Sequence, residues 1–578
     1  MTSEQKYQLW LEQVPQGTPV HDELEAISQN NAEIDARFEA DLTFGTAGLR
    51  GIMGAGTNRM NIYTVRRASL AYGQYIKAAP LPDTCVIAYD TRNHSRLFSE
   101  VCATALAEMG IHVYLFPEPM PTPTLSFAVR HLGTGGGVVM TASHNPAAYN
   151  GMKCYGSDGC QQTDEPAEQV FALMQTLPMI SEPTQSFGEM VTAGMIELLT
   201  PSFYEDYYTA VLKESLCCEL IPLSGLKVLY TPLHGTGRKP VTTLFDRIGL
   251  DYDVVASQMT PDGNFPTCPY PNPETEGAFL EAKKLLETQC NVSYDLVIAT
   301  DPDADRMAVA VPLANGELHR ISGNELGCLL LEFILNNRLR QGTLPNHSKC
   351  IKSIVTTPMV LAIAKQYGCE NIDVLTGFKY IGSRILNLEQ QGREQEVIFA
   401  FEESCGFLKG TYARDKDAQI ACVLTAALAA ACKLDGLDLV EKLKSLYKKY
   451  GCYKAQVTSI ALDGESGKRL CAEFIDGMRQ MPPNSFAGIP VKTISDYREG
   501  HQLDCVSGQK SKLDFPKSNV ISFALGNQSQ IILRPSGTEP KLKVYYFASG
   551  DTEQAARRIL AELSDDIYQK MKAFGITC

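Results

Sequence analysis

Asp301, Asp303 and Asp305 alternate along the chain, and Arg306 follows them. Carboxylates brought so close repel one another, and a hard divalent cation is the natural compensation. An EF-hand also begins Asp-x-Asp-x-Asp, but here the sixth position is Arg306 rather than Gly and the twelfth is Pro312 rather than Glu, which excludes that loop. With few carboxylates and an open side, the stretch suits Mg2+ completed by a phosphate oxygen. The plainer alternative is an exposed acidic turn. The apolar strand expected over 295–299, directly before the loop, argues against it. A second stretch runs from Gly137 to Lys153. Val138, Val139 and Met140 read as the end of a buried strand, and residues 141–146 as a small polar turn. Pro146 and Gly151 are expected to hold this loop in a fixed shape. A serine hydroxyl at the mouth of a strand, Ser143, beside His144 and before Lys153, is a candidate nucleophile or phosphate carrier. Taken alone, Ser-His-Asn-Pro would be read as a turn whose side chains cap backbone groups.

Three more stretches carry polar chemistry. Glu402, Glu403 and Ser404 follow a strand expected over 397–401, and such groups bind vicinal sugar hydroxyls because one carboxylate accepts two O–H bonds. Arg534, Ser536, Gly537 and Thr538 make an anion site of guanidinium donors, hydroxyls and exposed backbone N–H groups, with Lys541 close by. The glycine-rich turn 44–51 carries Arg50 and brings backbone N–H groups and one guanidinium toward a phosphate.

Four of these loops, in this order, resemble those of the α-D-phosphohexomutases, the phosphoglucomutase and phosphomannomutase superfamily. Thr141-Ala-Ser-His-Asn-Pro146 resembles the phosphoserine loop, and 301–306 the metal loop, with Pro302 where many members have Gly. Glu402-Glu-Ser404 resembles the sugar loop in its glucose-type form, and 534–538 the phosphate-binding loop. Thr376-Gly-Phe-Lys-Tyr380 and Arg414-Asp-Lys-Asp417 also follow the phosphoglucomutase pattern. The resemblance runs from Leu42 to the C-terminus and is greatest to the branch of bacterial phosphoglucomutases, phosphopentomutase and glucose-1,6-bisphosphate synthase.

The resemblance implies an intramolecular phosphotransferase that interconverts glucose 1-phosphate and glucose 6-phosphate through a phosphoserine and a 1,6-bisphosphate intermediate, with mannose phosphates as further substrates. It implies Mg2+ as cofactor and glucose 1,6-bisphosphate as activator. Ser143, His144, Lys153 and Arg50 become the expected catalytic residues. Ser143, Asp301, Asp303 and Asp305 become the expected metal ligands. Arg306, Thr376, Gly377, Lys379, Glu402, Ser404, Arg534, Ser536, Gly537 and Thr538 become the expected substrate-binding residues. Lys153 is the first candidate for general acid/base and His144 the second, with orienting the loop as the preferred role of His144. A phosphopentomutase, a glucose-1,6-bisphosphate synthase, a catalytically idle regulatory homologue and a phosphatase or kinase-like transferase are the alternatives; no Walker loop is present.

The elements that must hold these loops alternate strand and helix. An N-terminal arm, 1–40, carries a helix expected near 23–38. Val65, Ala68, Tyr72 and Ile76 then share one face of a helix. Strands at 85–89 and 112–116 and helices at 98–109 and 124–132 lead to the Ser143 loop. The pattern restarts with strands at 226–230, 252–256 and 295–299, and again at 351–356, 372–375 and 397–401. This alternation predicts an α/β class with ligand loops at the carboxyl ends of strands. The tail from 453 differs: strands at 457–461, 520–524, 530–533 and 541–548, a loop or hairpin at 500–517 and a last helix at 553–573 read as an α+β domain. The expected domains are 41–205, 206–322, 323–450 and 451–578. With the resemblance, this gives three similar α/β domains with mixed sheets and a TATA-box-binding-protein-like fourth around a central cleft.

The bulk properties agree. A chain of 578 residues exceeds one core, and its length alone suggests about four domains. A formal charge of −14 argues against non-specific nucleic-acid or anionic-membrane binding, so an anionic phosphosugar needs a locally basic cleft. The first residues have no apolar signal region, and the apolar run 421–434 is too short to span a bilayer. The 18 cysteines are scattered, without clustered Cys-x-x-Cys pairs, which points to reduced thiols in a cytoplasmic protein; a monomer or homodimer is expected, a choice the cysteines do not make.

Overall fold

Val86, Ile87, Ala88, Val138, Val139 and Met140 are all fully buried, because both strands that carry them lie inside a sheet rather than at its edge. That sheet has six strands, ordered Leu49–Ile52, Tyr149–Gly156, Gly136–Met140, Thr84–Tyr89, His112–Leu115 and Ile196–Leu198. The last four run parallel, and Tyr149–Gly156 joins its two neighbours antiparallel. Helices Ile62–Ala78 and Ser95–Glu108 bury Val65, Ala68, Tyr72, Phe98 and Leu106 in its core.

This computed structural model describes residues 1–43, 48–288, 292–462, 464–535 and 541–576. It divides into two compact units. One comprises Met1–Gly323 with Phe378–Asp438, the other Asn324–Gly377 with Leu439–Cys578. The first unit holds a second sheet, Leu318–Ile321, Met307–Pro312, Leu296–Thr300, Lys227–Thr231 and Asp251–Val254, whose last three strands run parallel and whose first two join antiparallel. It also holds the antiparallel pair Val397–Glu402 and Gly406–Leu408. Helix Ala418–Leu434 is buried along nearly its whole length, and no single helix among the described residues is long and apolar enough to cross a membrane.

The N-terminal arm packs Tyr7, Trp10, Leu24, Ile34 and Phe38 against Tyr63. The helix expected over 23–38 is two helices, Pro19–Ala26 and Asn31–Phe38. Asn30 separates them, since its side chain accepts from Glu33 N and so caps a new helix instead of continuing the old one. A second correction concerns the stretch before Lys153. Gly151 and Lys153 are not in a loop but in the strand Tyr149–Gly156, where Gly151 stands opposite Arg50. A Cβ at Gly151 would meet Thr141 O at 2.6 Å, so glycine here serves close strand packing rather than a turn.

In the second unit, strands Lys349–Ser353 and Glu370–Val374 pair in parallel. The tail forms an antiparallel sheet, ordered Cys452–Ala461, Lys541–Gly550, Gln530–Pro535, Ile521–Leu525, Ile489–Asp496, His501–Asp504 and Lys510–Lys512. Helices Gly464–Gln480 and Glu553–Ala573 press Phe474, Ile475, Leu563 and Ile567 onto it. The stretch 500–517 contains a short antiparallel pair, His501–Asp504 with Lys510–Lys512.

One hydroxyl is inserted where the strand before Ser143 meets the strand carrying Lys153. Tyr72 donates to Tyr155 O at 2.7 Å and accepts from Gly137 N at 3.1 Å, in a space that Gly136 leaves open by lacking a Cβ. Tyr72→Phe leaves both buried backbone groups unpartnered, an expected loss of about 1–3 kcal/mol. Thermal unfolding of the full chain should show this as a lowered transition, with activity retained below it.

Candidate active site

Three strands of the first unit end in polar loops and then reverse into antiparallel strands. Gly136–Met140 turns into Tyr149–Gly156, Leu296–Thr300 into Met307–Pro312, and Val397–Glu402 into Gly406–Leu408. Each loop contains a non-glycine residue in the left-handed region: Ser143 at φ 50°, Ala304 at φ 46° and Cys405 at φ 62°. Such backbone is sparsely populated by L-residues and persists only where its surroundings enforce it. The second and third loops touch, since Met307 N donates to Cys405 O at 3.0 Å.

Several groups hold Ser143 in place. Its N–H donates to Thr141 Oγ1 at 2.7 Å. Arg92, buried, fans its guanidinium over four carbonyls of the loop: Ser143 O at 2.5 Å, Pro146 O at 2.9 Å, Tyr149 O at 3.1 Å and Asn145 O. Asp90 Oδ2 lies 3.3 Å from Arg92 Nε, and the guanidinium stands over the Phe265 ring. The Ser143 hydroxyl then donates to Asp301 Oδ2 at 2.8 Å and lies 3.2 Å from His144 Nδ1. Burial and the positive charges of Arg306 and Arg50 push the His144 imidazole well below its usual range, so the ring is held neutral.

Asp301, Asp303 and Asp305 are buried, with one oxygen of each within 4.8 Å of the others. Burial and the charges of Asp303 and Asp305 push Asp301 well above the usual carboxylate range. Asp303 is also penalised by burial, but the Lys153 and Lys416 ammonium groups outweigh this and hold it well below that range. Lys153 Nζ donates to Asp303 Oδ2 at 3.0 Å and lies 3.6 Å from Asp305 Oδ2. Lys416 Nζ is 2.7 Å from Asp305 Oδ2. Thr122 Oγ1 donates to Asp303 Oδ2 at 2.9 Å, and Asp301 Oδ1 accepts from the N–H groups of Asp305 and Arg306. Pro302 O accepts from Thr236 N at 2.8 Å and from Thr236 Oγ1 at 3.0 Å. Asp303 Oδ1 and Asp305 Oδ1 accept no hydrogen bond from the described residues. Converging carboxylate oxygens with unused lone pairs are what a small divalent cation requires, so the residues fit such an ion.

The other expected site residues divide. Arg306 lies beside the trio, and Glu402, buried at the end of its strand, adds a negative charge that stabilises the guanidinium. Ser404 occupies the same loop, half-buried, and Arg50 lies exposed on Leu49–Ile52. Lys379 pairs with Asp164 at 2.6 Å, and the Tyr380 hydroxyl donates to the same carboxylate. Thr376, Gly377 and Arg534 belong to the second unit; Arg534 stands opposite Lys543 in its sheet, and the buried Thr376 Oγ1 has no hydrogen-bond partner among the described residues. Ser536, Gly537 and Thr538 fall outside the described residues, as does 44–47 of the glycine-rich turn.

Arg92, Asp90, Thr122, Lys416 and Glu274 were not among the expected residues. Asp90-Thr-Arg92 follows the strand Thr84–Tyr89 just as the Ser143 loop follows its own, a positional signal that could have found it. Lys416 lies in a stretch noted for its pattern but given no role. It reaches Asp305 because its flanks are fixed. Asp415 accepts from the Tyr155 hydroxyl at 2.6 Å, and Asp417 caps helix Ala418–Leu434. A Cβ at Gly406 would stand 2.5 Å from Lys416 Cδ, so the glycine after the third loop clears the path of the lysine.

Models of phosphoglucomutase/phosphomannomutase α/β/α domains I, II and III match residues 41–179, 205–314 and 322–450, and that of the C-terminal domain matches 509–565. The chain therefore belongs to the phosphoglucomutase/phosphomannomutase family, with three α/β domains and a fourth C-terminal one. Within it, a phosphoglucomutase of Staphylococcus aureus strain MSSA476 is 37% identical over 545 residues, 93% of this chain and 94% of the relative. That of strain N315 is 36% identical over 562 residues, 96% and 98% of the two chains. Two solved structures share the fold. A phosphoglucomutase/phosphomannomutase family protein from Burkholderia thailandensis has a TM-score of 0.67 at 17% identity, covering 93% and 98% of the chains. The open form of Paramecium parafusin, a phosphoglucomutase, has 0.68 at 18% identity, covering 93% and 96%.

Arg92→Ala removes the clamp on Ser143 and leaves Asp90 buried without its counter-charge, an expected cost of about 3–5 kcal/mol. Arg92→Lys keeps the charge but cannot reach four carbonyls at once. The lysine variant should stay folded by circular dichroism and lose turnover by on the order of 10²-fold, because the hydroxyl is no longer fixed.

Proposed function

We propose that this chain is a phosphoglucomutase that interconverts glucose 1-phosphate and glucose 6-phosphate, with Ser143 as the phosphoryl carrier. The observation that carries the reading is the Ser143 hydroxyl, on a left-handed turn, 2.8 Å from a carboxylate of the buried trio. Asp301, Asp303, Asp305 and the phosphorylated Ser143 would hold Mg2+. When bound, the ion supplies positive charge that neutralises a phosphoryl group in transit.

The protein's own groups do the rest. The substrate's free hydroxyl attacks the phosphorus on Ser143. A sugar O–P bond forms as the Oγ–P bond breaks, and the hydroxyl proton passes to a neighbouring base. Lys153, an ammonium where it donates to Asp303, is the candidate: it gives its proton to the departing Ser143 Oγ and takes up the one the hydroxyl releases. Arg306 and Arg50 spread the phosphoryl charge. His144, held neutral, orients the loop. The bisphosphate turns end for end, and its other phosphate returns to Ser143. Glu402 and Ser404 hold sugar hydroxyls, while Arg534, Ser536, Gly537 and Thr538 hold the phosphate that is not reacting, assisted by Thr376, Gly377 and Lys379. Glucose 1,6-bisphosphate is the activator that charges an empty Ser143. Free thiols at all described cysteines support a reducing, cytoplasmic setting.

Ser143→Ala should lower turnover by on the order of 10⁴-fold with the fold intact, and only wild type should show a phosphatase-sensitive phosphate adduct by intact mass. Near-normal turnover in the alanine variant would sink the assignment. Excess chelator should abolish activity, and added Mg2+ should restore it. Against glucose 1-phosphate, mannose 1-phosphate and ribose 1-phosphate, kcat/KM should be highest for glucose. A higher value for ribose would make the enzyme a phosphopentomutase.

A further inference from the structure

Arg306 is anchored from outside the loops that define the site. Its Nη1 donates to Glu274 Oε1 at 2.7 Å. Its Nε is buried, makes no hydrogen bond among the described residues and stands 3.9 Å from Asp305 Oδ1. Glu274 is itself firmly placed. Its N–H donates to Asn272 Oδ1 at 3.0 Å, and its carbonyl accepts from Arg320 Nη1 at 2.7 Å. Asn272 is buried, and its own N–H donates to Tyr270 O. Further back along the same segment, the His234 ring nitrogens meet Thr260 O at 3.0 Å and Thr267 Oγ1 at 2.8 Å. The Glu274 side chain is only 34% exposed.

A guanidinium offers its donors along distinct edges. With Nη1 fixed on Glu274, the Nε–H stays turned toward the trio without a hydrogen bond to the described residues. A released guanidinium this close to Asp305 would close onto that carboxylate, and an arginine paired there competes both with the divalent ion and with a phosphoryl oxygen. We propose that Glu274 is a positioning residue for Arg306, holding it by Nη1 so that Nε stays available to a phosphoryl group while Asp305 stays available to the ion. This rests on the mutase reading above for the phosphoryl part, but not for the ion part.

The test uses the full-length protein, Glu274→Gln, and the same change in an Arg306→Lys background. With Arg306 present, Glu274→Gln should lower kcat about 10-fold with KM changed less than about threefold, and should weaken Mn2+ binding by calorimetry about threefold or more. In the Arg306→Lys background the same substitution should change either quantity less than twofold. Glu274→Asp, which keeps the charge but shortens the reach, should fall between. A merely structural role would lower both quantities equally in the two backgrounds and lower the thermal transition with them; that result, or no change in either quantity, overturns the proposal. The ion titration needs no turnover. A wild type that binds Mn2+ but does not isomerise sugar phosphates overturns the mutase reading and leaves the Glu274 coupling to be judged by calorimetry alone.

Discussion

Burying three carboxylates within reach of one another is the constraint that the first unit answers. Taking charges out of water costs several kcal/mol each, and like charges add to that cost. The compensation is distributed. Lys153 comes from the strand after Ser143, Lys416 from the segment before a buried helix, Thr122 from the start of another helix, and two backbone N–H groups from the acidic loop itself. No single element could supply all of these. The trio therefore binds together parts of the chain that are far apart in sequence, and the Ser143 hydroxyl is placed by the same network.

The three strand-loop-strand reversals show how one backbone device serves three chemistries. A buried strand runs out, one residue adopts left-handed backbone, and the chain returns antiparallel. In the first loop the residue in that conformation is the serine itself. In the second it is Ala304, which lets its flanking aspartates converge. In the third it is Cys405, which follows Glu402 and Glu403 closely and gives its carbonyl to Met307. Strain at such points is tolerated because the surroundings over-determine it; Arg92 with its four carbonyl contacts is the clearest case.

Much of this was legible in the sequence where the chemistry is local. Asp301, Asp303 and Asp305 lie within one short stretch, as do Ser143 and His144, and apolar runs marked the strands before them. The final helix, Glu553–Ala573, appears with the bounds expected for it from the sequence. Residues that act across long separations were not legible. Nothing near Arg92 announces that its guanidinium will cover the Ser143 loop, and nothing near Glu274 names Arg306. The strand carrying Lys153 was missed because Pro146 and Gly151 read as breakers, whereas Gly151 is in fact needed for strands to pack closely. The arm helix divided because Asn30 prefers to cap.

The first unit is assembled from two pieces of chain, with Asn324–Gly377 of the other unit intervening. Synthesis runs from the N-terminus, so the ribosome delivers Ser143, Lys153 and the acidic trio long before it delivers Lys416, Glu402 and the helix Ala418–Leu434 that closes the core around them. During that interval only one of the two lysines that face the trio has been made. The last counter-charge arrives only when most of the polypeptide has been made. An unfinished chain thus lacks one of the two lysines that offset the trio, and the order of translation itself delays the site until most of the chain has been made.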